Sequence, residues 1–146
     1  QKAEKRSEAI HKYCWNNKIN FFCDYNLSTQ NQQQNITAAG LFPLFVKIAK
    51  MEQAKAVEEV TAYYLLKDGG LVTTINHTGQ QWDAPNGWAP LQWVAYIGLT
   101  NYQHHELPKE IATRWLTLTE TVFHQTGKPM EKYNVEHRDT PAAGGK

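Results

Sequence analysis

Cysteine is scarce in this sequence, where Cys14 and Cys23 are the only two among 146 residues. One pair is too few for the disulfide framework of a small secreted domain, and its spacing is not that of a zinc site. We expect two buried free thiols, with a single bridge between them as the alternative. The six histidines are dispersed, and we expect the adjacent His104 and His105 to lie on the surface. The sequence therefore predicts no metal site and no cofactor.

Long apolar runs and an excess of one charge are missing as well. The longest apolar-rich stretch, residues 36–49, is interrupted by polar residues and falls short of the roughly 20 apolar residues that a membrane-spanning helix needs. The mean hydropathy is −0.61. A net charge of +1 gives no electrostatic attraction for nucleic acid or for an anionic membrane. We therefore expect neither as a partner.

A secretory leader is not visible at the start of the sequence. Residues 1–13 are charged and helix-forming, without the apolar centre of a signal peptide. The sequence also begins inside a helical pattern and without Met, which indicates that the true N-terminus lies elsewhere or was removed. A length of 146 residues fits one domain or a fragment of a larger one.

Helical periodicity, by contrast, covers most of the sequence. It predicts five helices, at residues 3–15, 36–50, 52–66, 88–102 and 109–125. We expect Pro43 to kink or divide the second helix and Pro108 to occupy the first position of the fifth. The segment from Phe21 to Tyr25 is too short and too aromatic for a helix, which predicts a short β excursion.

The predicted helices alternate in character along the chain. Residues 36–50 and 88–102 are apolar on nearly all sides, whereas the helices that follow them, 52–66 and 109–125, are amphipathic. An inner ring covered on both sides and an outer ring that meets water would produce this alternation. The sequence thus predicts an all-α fold, a two-layer α/α toroid in preference to a simple bundle. We expect residues 136–146 to be a flexible polar tail.

One connection between helices, residues 69–88, is unusually long and rich in groups that bind sugars. Gln81 and Asn86 offer planar amides, Asp83 offers a carboxylate, and Trp82 and Trp88 offer stacking faces. The apolar face of a pyranose packs on an indole while its hydroxyls need planar polar partners. Each residue also has a structural explanation: the aromatics can pack in a core, and Asp83 can cap the next helix or close an Asx-turn.

The string Gln81-Trp82-Asp83-x-Pro85-x-Gly87-Trp88-x-Pro90 resembles the second diagnostic motif of the trehalase family. These glycoside hydrolases split α,α-trehalose into two glucoses. Five further segments resemble the family in order and spacing: Tyr13-x-Trp15, Asp24-Tyr25-Asn26, Thr37-Ala38-Ala39-x-Leu41-Phe42-Pro43-Leu44, Gly69-Gly70-Leu71-x-Thr73-Thr74 and Glu131-Lys132-Tyr133-Asn134-Val135. The resemblance covers essentially the whole chain and implies an (α/α)6 barrel. The likeness around residues 79–94 is to bacterial members. Family members occur in the bacterial periplasm and in the cytosol, and we expect a periplasmic or secreted protein rather than a cytoplasmic one.

The resemblance also implies an inverting glycosidase, in which one carboxylic acid protonates the bridging oxygen and a second carboxylate activates water on the opposite face. The family's acid is an Asp in a Gly-Trp-Asp motif, a triplet that does not occur in residues 1–146. Its base is a Glu just beyond a Gly-rich stretch, which this sequence reaches at residues 142–146. We therefore expect no catalytic residue here, and we do not expect Asp83, Glu131 or Glu136 to substitute.

The sequence accordingly predicts part of the sugar-binding wall of a trehalase. The expected partners are trehalose and the remainder of the same polypeptide. Three alternatives stay open: another (α/α)6 glycosidase resembling glucoamylase, a non-catalytic sugar-binding module, and an α-helical domain whose aromatic residues merely pack.

Overall fold

In the computed structural model, which describes residues 2–142, five α-helices follow one another in the predicted order. They are α1 (Lys2–Ala9), α2 (Phe42–Phe45), α3 (Met51–Val60), α4 (Ala89–Thr100) and α5 (Glu106–Thr126). Residues 143–146 lie outside the described part of the chain. They include most of the Gly-rich stretch and the end of the predicted tail.

Helices α1 and α3 end alike. Each continues into a five-residue π-helical turn, Ile10–Cys14 after α1 and Thr61–Leu65 after α3. Each turn passes directly into a two-residue strand, β1 (Trp15–Asn16) or β5 (Leu66–Lys67). Turn and helix together span nearly all of the predicted helices 3–15 and 52–66.

The predicted helix 36–50 is shorter than its apolar composition suggests. A 3-10 helix, Ala38–Leu41, leads into α2, and the helix stops after Phe45. Pro43 lies in the first turn of α2, directly after the 3-10 helix ends, and its missing N–H has no intrahelical acceptor to lose there. The chain turns away at Lys47, whose φ of 59° is left-handed. The prediction of a helix to residue 50 is therefore wrong.

Helices α4 and α5 lie close to their predicted positions. The difference is at the start of α5, which begins at Glu106, so that Pro108 is its third residue and not its first. Pro108 is still within the first turn, where backbone N–H groups make no intrahelical hydrogen bond. Gly127, with a φ of 74°, ends α5 in the left-handed conformation.

Four antiparallel two-stranded ladders connect the described residues. The strands are β1 with β2 (Phe21–Phe22), β3 (Tyr25–Asn26) with β4 (Asn31–Gln32), β5 with β6 (Gly70–Leu71), and β7 (Asn86–Gly87) with β8 (Tyr133–Asn134). The predicted excursion from Phe21 to Tyr25 is confirmed in β2 and at the start of β3. The sequence did not predict the other ladders.

These ladders place three loops at one end of the helices. The loops are residues 15–37, 66–88 and 127–137, and we call them together the rim. Thr37 pairs with Thr74 in an isolated bridge. The N–H of Gly69 donates to the carbonyl of Val135 at 2.8 Å, and that of Val135 donates to Pro85 at 2.9 Å. The loop that carries the tryptophan motif is therefore fixed to both of its neighbours.

The hydrophobic core lies between α4 and the elements around it. Its fully buried side chains include Phe21, Leu41, Leu44, Val57, Leu65, Leu71, Leu99, Ile111, Leu118 and Val135. Other apolar side chains of α2 and α4 are exposed among the described residues, with Phe42 at 44%, Trp93 at 60% and Tyr96 at 37%. The two apolar helices are thus covered on one side here, whereas the sequence predicted cover on both.

Several smaller predictions can be compared with the structure. Cys14 and Cys23 are free, with Cys23 buried and Cys14 half-buried. His105 is exposed as expected, but His104 is half-buried and its Nδ1 lies 2.7 Å from Oε2 of Glu58 on α3. The surface prediction is therefore wrong for His104, because α3 packs against the turn that follows α4. Within residues 2–142, no helix combines the length and the apolar character needed to span a bilayer.

Candidate functional site

The loop before α4 is held in shape by Asp83. One carboxylate oxygen accepts a hydrogen bond from Thr74 Oγ1 at 2.9 Å, and the other accepts one from Thr78 Oγ1. The backbone N–H of Asn86 donates to the Asp83 carbonyl at 3.0 Å. Helix α4 has Trp88 at its N-cap without a side-chain cap, so Asp83 does not cap it. Asp83 instead closes the loop on itself and remains half-buried.

The main-chain carbonyl of Gln81 is the acceptor around which the motif is arranged. It accepts from the indole N–H of Trp88 at 3.0 Å and from the side-chain amide of Asn86 at 3.2 Å. Asn86 is fully buried, and its main-chain carbonyl accepts a hydrogen bond from the Thr73 hydroxyl at 2.8 Å. Of the two amide side chains predicted for the site, the structure exposes that of Gln81 and buries that of Asn86.

The two predicted tryptophans form a parallel stack. The ring centroids of Trp82 and Trp88 are 4.0 Å apart, and the ring planes differ by 4°. Trp88 is 6% exposed, whereas Trp82 is 47% exposed. The stack therefore has a buried layer and an outer layer, and a ring at the surface that is held flat can receive an apolar ligand face.

The structure adds residues of the segment after α5 to this site. Strand β8 pairs with β7 in the register Gly87 to Tyr133, and Trp88 and Lys132 are the residues that directly adjoin this pair. The Lys132 ammonium lies over the Trp88 ring, 5.7 Å from its centroid. The sequence could have indicated Lys132 only through its place in the family-like segment, because the contact depends on a distant strand pair.

A second contact joins the same two segments. His77 Nε2 donates to Glu136 Oε2 at 2.7 Å. The side chain of Glu136 is 17% exposed, while that of Glu131 is 73% exposed. Glu131 is therefore solvated, whereas Glu136 is packed against the tryptophan loop.

The five residues predicted from the sequence do meet at one place, the rim end of α4. Gln81 and Trp82 reach the surface, Asp83 is half-buried, and Asn86 and Trp88 lie beneath them. Within residues 2–142, no cluster of three or more His, Cys, Asp or Glu side chains could hold a metal ion. The arrangement suits a neutral, hydroxyl-rich ligand with an apolar face.

Comparison with protein families matches residues 1–146 to Trehalase. This chain belongs to the trehalase family. Over 143 residues it is 43% identical to the periplasmic trehalases of Salmonella paratyphi B and Salmonella newport. The match covers 98% of this chain and 25% of each relative. The trehalase-family chain therefore spans about a quarter of the length of the curated relatives it matches.

Solved structures with the same fold include the neutral trehalase of Saccharomyces cerevisiae, with a TM-score of 0.87 and 32% identity over 97% of this chain and 27% of that one. A mannosylglycerate hydrolase of Thermus thermophilus gives a TM-score of 0.74 at 16% identity, covering 94% of this chain and 35% of that one. The second likeness shows the fold alone. Both relatives agree with the (α/α)6 barrel that the sequence implied.

Proposed function

We propose that this chain is part of an inverting α,α-trehalase, a hydrolase that splits trehalose into two glucoses. The family match over residues 1–146 carries this proposal. It is supported by relatives named periplasmic trehalase, whose name also favours a periplasmic location. Because the chain spans a quarter of those relatives, the activity is that of the whole protein.

Within that protein, this chain forms one wall of the sugar site. The outer face of Trp82 receives the apolar face of a glucose ring, and Trp88 keeps the Trp82 ring flat from behind. The exposed amide of Gln81 offers both a donor and an acceptor to sugar hydroxyls. A carboxylate has about four acceptor positions, so Asp83 retains some for the sugar after binding Thr74 and Thr78. Asn86 fixes the loop from below.

The catalytic acid and base come from other parts of the polypeptide. An inverting mechanism needs two carboxyl groups about 6.5–9.5 Å apart on opposite sides of the scissile bond. The half-buried carboxylates of the rim are already engaged, Asp83 by two hydroxyl groups and Glu136 by His77. The chain therefore contributes substrate binding and orientation.

The remaining helices of the barrel cover the apolar face between α4 and α5. A shallow cavity of about 430 Å³ lies there, and exposed Trp93, Tyr96 and Leu116 surround it. An apolar patch of this kind on a soluble enzyme marks a packing surface. Helices from the remainder of the same polypeptide are the occupant that a closed barrel requires.

The first test is kinetic and uses the full-length protein. Trp82→Ala should raise KM for trehalose and lower kcat/KM by at least about tenfold, since aromatic stacking contributes roughly 0.5–1.5 kcal/mol beyond its buried area. Trp82→Phe keeps an aromatic face and should retain part of the wild-type kcat/KM.

Asp83→Ala should also lower kcat/KM, and it should lower the melting temperature because it leaves two hydroxyls without their acceptor. Unchanged kinetics in all three variants would reject the proposal that this chain forms a wall of the sugar site.

A substrate panel separates this function from its alternatives. A trehalase should hydrolyse trehalose far faster than maltose, whereas a glucoamylase-like enzyme should prefer maltose. A sugar-binding module should hydrolyse neither while still changing its tryptophan fluorescence with sugar.

A further inference from the structure

The backbone places one cation against the tryptophan stack. Strands β7 and β8 pair Asn86 with Asn134 and Gly87 with Tyr133, and Trp88 and Lys132 are the residues that directly adjoin this ladder. The Gly87–Tyr133 pair therefore holds the backbone of Lys132 close to that of Trp88.

Lys132 and Trp82 occupy opposite faces of Trp88. The Trp82 ring lies parallel to Trp88 at 4.0 Å and fills one face. The Lys132 ammonium, over the ring at 5.7 Å from its centroid, has only the other face available. The order is therefore Lys132, Trp88, Trp82 and then the surface, with the cation at the buried end and the exposed indole at the other.

The surroundings of the ammonium strengthen this contact. The Lys132 side chain is only 12% exposed, and its one ion-pair partner among the described residues is Glu131, at 3.9 Å and itself 73% exposed. A cation attracts the face of an indole more strongly when water is excluded. The Glu131 carboxylate is nearer to the ammonium than the ring centroid is, but it is well solvated, whereas the Trp88 ring is buried.

We infer that Lys132 is a positioning residue for the sugar platform: it fixes the plane of Trp88 and, through the stack, the plane of Trp82. This role rests on the proposed function, in which Trp82 receives the glucose ring. Without the cation, Trp88 loses the attraction on its inner face and both rings gain freedom. Sugar binding then has to order them, which weakens binding more than it slows the chemical step.

The test uses the full-length protein and two independent readouts. Two stacked indoles give an exciton couplet in far-UV circular dichroism, and the difference between wild type and Trp82→Phe isolates the couplet of this pair. Lys132→Met keeps the aliphatic stem but removes the charge, so it should weaken the couplet and raise KM for trehalose roughly two- to tenfold with kcat much less affected. Lys132→Arg keeps the charge and should restore both readouts.

A matched control addresses the neighbouring ion pair. Glu131→Gln changes an exposed side chain and leaves the ammonium facing the ring, so the couplet and KM should stay as in the wild type. Loss of either readout in Glu131→Gln would show that the ion pair, and not the ring contact, matters, and it would overturn the inference even if Lys132→Met did not fold.

The remaining outcomes separate the inference from the proposed function. An intact couplet or an unchanged KM in folded Lys132→Met contradicts the positioning role. If Trp82→Ala leaves the kinetics unchanged while Lys132→Met loses the couplet, the sugar wall is rejected and the contact between Lys132 and the stack is supported.

Discussion

Side chains at the rim divide into those that reach the surface and those that hold them. Trp88 and Asn86 both donate to the carbonyl of Gln81, and Asp83 accepts from two threonines of its own loop. The buried residues thus fix the backbone on which Gln81 and Trp82 are presented. This support matters for recognition because a preorganised surface loses less conformational entropy when it binds.

The sequence predicted which residues gather at this place but not how they are layered. Residue types alone made Asn86 and Gln81 equivalent amides, and burial distinguishes them only after the chain has folded. Lys132 and Glu136 were missed as site residues because each contact crosses from β8 or its flank to the tryptophan loop. No local pattern in the sequence encodes such a pairing.

Cys23 gives a prediction about pH at the scale of one residue. Burial, followed by the charges of Asp24 and Cys14, raises the pKa of its thiol to about 11, and burial and Asp24 also raise the pKa of Cys14. The thiolate is the reactive form, so both cysteines should react slowly with iodoacetamide near neutral pH. The labelling rate of Cys23 should keep rising above pH 9, because its proton is lost only near pH 11.

Asp24→Asn provides the matched variant for the thiols. Removing the negative charge should lower the pKa of Cys14 and Cys23 and increase labelling at a fixed pH. Peptide mapping by mass spectrometry measures each site separately, with the unfolded protein as reference. A Cys23 rate that levels off near pH 9, or equal rates with and without Asp24, would contradict this account.

At the scale of elements, the helical periodicity of the sequence predicted the helices and missed the two-residue strands and the π-helical turns. The sequence predicted all five helices in order, and in α3, α4 and α5 the apolar pattern extends over several turns. The two-residue strands and the π-helical turns have no period to detect. Helix 36–50 was overestimated because its apolar residues continue past Phe45, while the backbone turns at Lys47. At this end of the helix, the side-chain amide of Asn101, just after α4, donates to the carbonyls of Leu44 and Phe45.

The β7–β8 ladder offers a prediction at the same scale. A Cβ atom on Gly87 would lie 2.5 Å from Val135 Cγ1 and 2.7 Å from the Leu71 carbonyl oxygen. Gly87→Ala should therefore push β7 away from its neighbours and cost about 1–3 kcal/mol of unfolding free energy. It should also lower kcat/KM, because Trp88 follows directly. Denaturant unfolding and steady-state kinetics of the full-length protein measure the two effects.

Gly79→Ala is the control for this substitution. Apart from Gly79 itself and its chain neighbours, no described atom lies within 4 Å of a Cβ on Gly79, although its φ of 80° makes alanine strained there. Its kinetic effect should be small, and equal effects of the two substitutions on kcat/KM would contradict steric displacement of β7.

At the scale of the whole molecule, the alternation of apolar and amphipathic helices predicted two layers correctly. The prediction succeeded because a helix buried on both sides is apolar all round, whereas a helix buried on one side is amphipathic. The described residues contain part of each layer, with the rim loops linked to one another at one end. The inner-layer helices therefore have one face packed on this chain and another that is exposed within residues 2–142.

That exposed face governs how residues 1–146 should behave when expressed alone. Trp93 is 60% exposed, Leu116 63% and Val46 54%, and these apolar side chains need the neighbouring helices of a barrel to cover them. We expect this polypeptide to aggregate or to form a molten state that binds the dye ANS, with broad unfolding and no trehalose hydrolysis. The full-length protein should unfold cooperatively and bind little dye.

A Trp93→Lys, Leu116→Lys variant of the segment tests whether the exposed apolar face causes the aggregation. If it does, this variant of the segment should be more soluble, while the same change should destabilise the full-length protein. Cooperative unfolding of the unaltered segment, with trehalose hydrolysis, would show that the other barrel helices are not required.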